Sequence, residues 1–185
     1  MWGPNGEARP IVFRRKPLRA DELGRAEYQL FLLPNEAGLA LPTNMANDNE
    51  PISETLRRAF IKKLSSNEGL PPETEEVIDL VFASGGNVVY QGYVDDARNT
   101  DHAWLETIVR VYFISHELEV FDGQAAGGQW YDVDALHDGV RHIERRAEKK
   151  GQEAVKLDPA HKLYLADVAF VQRGVVVARE QLGMR

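Results

Sequence analysis

Residues 50–63, EPISETLRRAFIKK, mix acids and bases in a way that bears on phosphate chemistry. Glu50 and Glu54 stand about one helical turn apart and could share a weakly held cation, whereas Arg58 precedes Lys62 by four residues and Lys63 follows at once. Magnesium is held against a polyphosphate only by several clustered hard oxygens. Two carboxylates followed by cations fall short of that, and helix solubility with a salt bridge explains the acids as well. A second polar run, VDDARNTD at residues 94–101, sets Asp96 two residues before Arg98. Arg98 can fork to a phosphate or stack on an aromatic base, and Asp96 can accept from a sugar hydroxyl or orient the guanidinium. A turn that merely caps itself is the plainer alternative. Glu106 follows in AWLET. His116 and Glu117 offer a general base, but a base alone does not stabilise a diphosphate leaving group. The chain carries no Ser-His-Asp or phosphate-loop signature.

Elements able to hold these groups are legible around them. Ile52, Leu56, Phe60 and Leu64 recur every four positions, so the first run lies on an amphipathic helix, with Asp48 or Asn49 as its cap. The second run connects two strands, NVVYQGYV and the β-branched, aromatic HAWLETIVRVYFIS. YQLFLLP from Tyr28 reads as a buried strand, with LALP from Leu39 returning as its partner, and GQWYDVD as another strand. PPETEEVIDLVFASGG opens with Pro and acids and closes on paired Gly, the polarity of a short helix. A charged helix is expected over 133–150. A C-terminal helix follows in PAHKLYLADVAFVQRGVVVAREQLG, docked on the sheet and interruptible at Gly174. The mixture predicts an α/β layered fold. It forms a single domain: 28–185 is the domain proper, and 1–27 is an N-terminal segment and connection packing on the core.

Composition narrows the partners. With 22 basic and 29 acidic residues the net charge is -7, which excludes nucleic-acid binding through a generally basic surface. An anionic ligand needs a local basic pocket. The chain has no cysteine, so disulfides, thiolate metal sites and a cysteine nucleophile are excluded, and a reducing, cytoplasmic setting is the expectation. Neither a signal-peptide pattern nor an apolar run of about 18 residues occurs, so no membrane partner is expected.

Three segments carry a family resemblance: WGPNGEARPIV from Trp2, QGYVDDARNTDHAWLET from Gln91 to Thr107, and PTNMANDNEPISETLRRAFIKK from Pro42 to Lys63. Together they resemble the ADP-ribose pyrophosphatase branch of the Nudix superfamily. That branch includes mitochondrial-type ADP-ribose pyrophosphatases and the ADP-ribose-sensing domain of melastatin-type channels. The resemblance implies an α/β/α sandwich with a mixed central sheet and a C-terminal helix. Laid on the Nudix box, Glu50 and Arg58 match and Phe60 fills the apolar position. Asn44 stands for the first Gly, Ala59 for the Glu after Arg, Lys62 and Lys63 for the paired Glu, and Ser65 for the second Gly. Positions 59, 62 and 63 share one helical face, which the resemblance makes the metal site. Their substitutions raise its formal charge by five. No magnesium site is expected, and no cofactor; magnesium returns only if the chain hydrolyses.

The same resemblance places Asp96 and Arg98 against ADP-ribose, and Tyr164 near its adenosine end, although Ala166 and Asp167 depart from the polar pattern that follows this Tyr in the family. Thr43, Asn44 and Met45 replace the Gly-rich loop before the box helix, where backbone amides could meet a phosphate. Lys62 could stand where the metal was lost and pair with the diphosphate, joined by Arg58 unless Glu54 holds that arginine; solvated surface lysines are the alternative. The expectation is therefore a catalytically degenerate domain that binds ADP-ribose or a related nucleotide diphosphate, with a sensing role. An active pyrophosphatase releasing AMP and ribose 5-phosphate is the first alternative, and a ligand-free structural or protein-interaction domain the second. A protein partner or homodimer is not specified by the sequence.

Overall fold

The computed structural model describes residues 3–15, 28–35, 38–64, 69–114, 128–133 and 165–182. Seven strands form one mixed sheet: β1 (Gly3–Arg15), β2 (Tyr28–Asn35), β3 (Gly38–Ala40), β4 (Asn44–Met45), β5 (Asn87–Val94), β6 (Ala103–Ile114) and β7 (Gln129–Asp132). The main path runs β3-β2-β1-β6-β5, with β4 pairing β1 and β7 pairing β2. β1 and β6 are parallel from Gly3 and Ala103 to Arg14 and Ile114; the other pairings are antiparallel. Three helices are described, α1 (Ile52–Leu64), α2 (Pro72–Ala83) and α3 (Leu165–Leu182).

Strand alternation sends neighbouring residues of β1 to opposite faces, and each face has its own core. Ala8 and Val12 pack with Leu56, Phe60, Ile78 and Phe82 under α1 and α2. Ile11 and Phe13 pack with Val168, Val171 and Val175 of α3. The sandwich expected from the sequence is therefore present, with helices on both faces. None of the described helices is long and apolar enough to cross a membrane.

Residues 3–15, read from the sequence as part of a segment packing on the core, are instead a central strand flanked by β6 along its length. Gly, Pro and alternating charges disguise it. Pro10 falls between the β4 pairing at Glu7 and Ala8 and the β2 pairing at Phe13 to Arg15, where a missing N–H interrupts neither ladder. The cap of α1 also lies elsewhere than expected. Pro51 supplies the carbonyl that accepts from Glu54 and Thr55, while Asn49 adopts φ 61 in the preceding turn. Gly174 does not interrupt α3. A Cβ there would sit 2.9 Å from Ile11 Cδ1, so glycine lets the helix approach the sheet closely. Residues 134–150 of the helix expected over 133–150, with Ser65, His116, Glu117 and Tyr164, lie outside the described residues.

Candidate functional site

Residues 6–8 of β1 are the point at which the separated polar segments meet. Across one edge β4 pairs Met45 with Glu7 and Asn44 with Ala8; across the other, β6 sets Glu106 beside Gly6 and Thr107 beside Glu7. The turn into α1 hangs from this point, since Ala46 N–H donates to Gly6 O at 2.8 Å.

Arg58 ties the helix to that turn. Its Nε donates to Glu50 Oε1 at 2.9 Å, and its Nη2 reaches Glu50 Oε2 at 2.6 Å and Met45 O at 2.7 Å. Glu50 Oε2 also accepts from Asn47 N–H at 2.9 Å and Thr55 Oγ1 at 3.0 Å. The Arg58 hydrogen bonds, followed by that from Asn47, hold the Glu50 carboxyl down to about 2. Arg58 is thus paired with Glu50, not Glu54. The loop amides are engaged as well: Met45 N–H donates to Asn44 Oδ1, and those of Ala46 and Asn47 to Gly6 and Glu50. Of the loop expected to meet a phosphate, Thr43, Asn44 and Met45, the Met45 amide is engaged within the turn, as are those of Ala46 and Asn47 after it. Asn44 Nδ2, in contrast, is buried with no partner among the described residues.

The 95–102 loop carries the second half of the site. Asp96 takes Arg98 at two points, Nε on Oδ1 at 2.7 Å and Nη2 on Oδ2 at 2.8 Å, and accepts the Arg98 amide at 2.9 Å. Arg98 Nη2 also reaches Glu7 Oε2 at 3.0 Å, yet the Arg98 side chain is 57% exposed. Arg98 hydrogen bonds hold Asp96 well below the usual carboxylate range, and Asp96, then Glu7, raise the Arg98 guanidinium. Asp96 therefore orients Arg98, one of the two roles open to it in the sequence.

Behind Arg98 runs a buried ionic chain. Glu7 Oε1 accepts from Arg9 Nε at 2.7 Å and Thr107 Oγ1 at 2.9 Å, and Arg9 Nη1 donates to Asp167 Oδ1 at 2.6 Å. Asp167 Oδ2 accepts the Leu41 amide at 2.8 Å. Glu7, Arg9 and Asp167 are all buried. Burial pushes Glu7 up, but the Arg9 charge and the hydrogen bonds from Arg9, Arg98 and Thr107 outweigh it and hold Glu7 low. Burial works against the Arg9 charge too, and Asp167 with Glu7 more than restores it. For Asp167 burial is the larger influence and raises its carboxyl despite the Leu41 amide and Arg9. Sequence reading missed Glu7 and Arg9 and treated Asp167 only as a departure. The available signal was charge of opposite sign at i and i+2, which shares one face of a strand.

No protein-family model matches the chain. Over 118 residues it is 35% identical to the mitochondrial ADP-ribose pyrophosphatase of Rattus norvegicus, covering 57% of this chain and 34% of that protein. Over 119 residues it is 31% identical to transient receptor potential cation channel subfamily M member 2 of Mus musculus, covering 60% of this chain and 7% of the channel. A solved mutT/nudix family protein from Listeria innocua superposes on 98% of this chain and 99% of its own with TM-score 0.55 at 13% identity, a likeness of fold. This is a Nudix fold, similar in sequence to proteins of the ADP-ribose pyrophosphatase branch. The Nudix chain spans about a third of the length of the rat pyrophosphatase it matches.

Magnesium does not fit the Nudix box residues present. Ala59 is 1% exposed on the buried face of α1, Lys62 is exposed and Lys63 partly so. Glu50 has both oxygens occupied by Arg58, and Glu106 accepts the Trp104 indole N–H at 3.1 Å. Among the described residues no group of three or more His, Asp or Glu could hold a metal ion. The weak site conceivable between Glu50 and Glu54 is lost to Arg58. The site assembles Asn44, Met45, Glu50 and Arg58 on one side of Glu7 and Ala8, and Asp96 and Arg98 on the other. No recorded contact joins Lys62 to Arg98, and Thr43 is an exposed neighbour of β4.

Proposed function

We propose that this Nudix domain binds ADP-ribose or a related nucleotide diphosphate and leaves it intact. The observation that carries the reading is Arg98, clamped by Asp96 and Glu7 while more than half exposed. Those contacts occupy Nε and Nη2. Among the described residues nothing takes Nη1 or the guanidinium face, which favours one phosphate contact or stacking on a base over a two-point phosphate fork. Asn44 Nδ2 adds a donor across the same stretch of β1. With the amides at 45–47 engaged, the counter-charge to the diphosphate falls to side chains, and Lys62 or Lys63 supplies it without a metal. Arg58 serves by holding the turn, and Tyr164 keeps the adenosine role that the resemblance gives it. The names of the relatives, an ADP-ribose pyrophosphatase among them, support the ligand class.

The absence of a fitting acidic cluster among the described residues supports binding without metal-assisted hydrolysis. No cofactor is required in this reading, and a sensing role suits a domain that holds its ligand unchanged. The cysteine-free chain suits the reducing cytoplasm. The rat relative's name favours a second reading, an ADP-ribose pyrophosphatase using magnesium to release AMP and ribose 5-phosphate. Incubation with ADP-ribose and magnesium, followed by chromatography, decides between them. Unchanged ADP-ribose is expected; AMP accumulating with enzyme concentration overturns the binding-only reading.

A further inference from the structure

We infer that Glu7 is the positioning residue of Arg98, and that Arg9 and Asp167 extend this control to the first turn of α3. The inference rests on the ligand reading of Arg98 given above. Asp96 lies on the same exposed loop as Arg98, so it fixes the guanidinium relative to the loop. Glu7 fixes it relative to the sheet. The two Glu7 oxygens are divided: Oε1 takes Arg9 and Thr107, and Oε2 takes Arg98. Arg9 is divided in turn, with Nε on Glu7 and Nη1 on Asp167.

Glu7 thus stands between two guanidinium groups that compete for one carboxylate, and Asp167 satisfies the inner one. Without the Asp167 charge, Arg9 draws more strongly on Glu7 and weakens its hold on Arg98. Glu7 is 2% exposed, Arg9 7% and Asp167 2%, so their interactions escape most solvent screening. Asp167 lies in the first turn of α3 and anchors the Leu41 amide, which places the end of this chain where the helix docks beside β3. The orientation of Arg98 and the docking of α3 are therefore linked, and a ligand that favours one Arg98 orientation acts on α3 to the same degree that α3 acts on the ligand.

The test uses the full chain with Asp167→Asn, Arg98→Ala and the double variant, unfolded in urea. Asp167 and Arg98 share no recorded contact, so independent sites would give additive changes. The inference expects departure from additivity by about threefold or more in the unfolding constant; additivity overturns it. Should Asp167→Asn not fold, Thr107→Val removes one uncharged partner of Glu7 and takes its place in the same cycle, with the same two outcomes. In calorimetry with ADP-ribose, Asp167→Asn should weaken binding by about threefold to tenfold in the native chain and leave it unchanged in an Arg98→Lys background. Equal loss in both backgrounds would mean that Asp167 acts other than through Arg98. If the native chain takes up no ADP-ribose, the ligand reading fails, and the urea cycle still decides whether the positioning chain exists.

Discussion

Arg58 holds Glu50 at two points across eight residues of chain, Nε on Oε1 at 2.9 Å and Nη2 on Oε2 at 2.6 Å. The pair closes the turn before α1 and places a cation of the protein itself against both carboxylate oxygens. Glu50 and Arg58, the two charged positions that match the Nudix box, form this clasp. Ala59, Lys62 and Lys63 replace the acids that would make the clasp useful to a metal.

The clasp should be visible in acid. Glu50 has a folded-state value of about 2 against an ordinary 4.5, so its stabilisation is complete above the ordinary value and is lost as pH falls toward about 2. Urea melts of the native chain and Glu50→Gln at intervals from pH 6 downward should show a stability gap that narrows through this window. A gap independent of pH would contradict the assignment.

Restoring the missing acids should not be neutral. Ala59 is 1% exposed, so Ala59→Glu buries a carboxylate without a partner and should cost about 3 kcal/mol. Lys62→Glu lies in solvent and should change stability by no more than about 0.5 kcal/mol. Chemical denaturation of both variants checks the contrast.

Arg9 pairs with two buried acids at once. Arg9→Ala leaves Glu7 and Asp167 facing a low-dielectric interior and should cost about 3–5 kcal/mol, lowering the melting temperature by roughly 10 °C. Calorimetric melting near neutral pH is the measurement, and a loss below about 1 kcal/mol would show that the buried chain contributes little.

The fold was legible where local pattern and tertiary role agree. The fourfold apolar repeat from Ile52 to Leu64 predicts α1, and NVVYQGYV coincides with β5, because one buried face writes its period into the sequence. β1 was hidden for the opposite reason. Glu7 and Arg9 look like solvent-facing residues, yet they are buried because each finds its counter-charge, in one case 158 residues away at Asp167. No local pattern encodes such a partner. Asp96 and Arg98 were legible through the family resemblance, and the structure adds that they clamp each other. The engaged amides of 45–47 were not legible, since they depend on Gly6 and Glu50 meeting across the turn.

Loss of the Arg98 plane should separate binding from folding. Arg98→Lys keeps a positive charge but loses the two-point contact with Asp96, so ADP-ribose affinity should fall about tenfold or more while the melting temperature moves by only a few degrees. Retained affinity would remove Arg98 from the ligand site.

The most direct measurement is calorimetric titration of ADP-ribose into the purified chain, once with magnesium and once with chelator. Saturable heat of the same affinity in both, with ADP-ribose recovered intact, is the predicted result. Sustained heat that requires magnesium, with AMP recovered afterwards, would contradict the account.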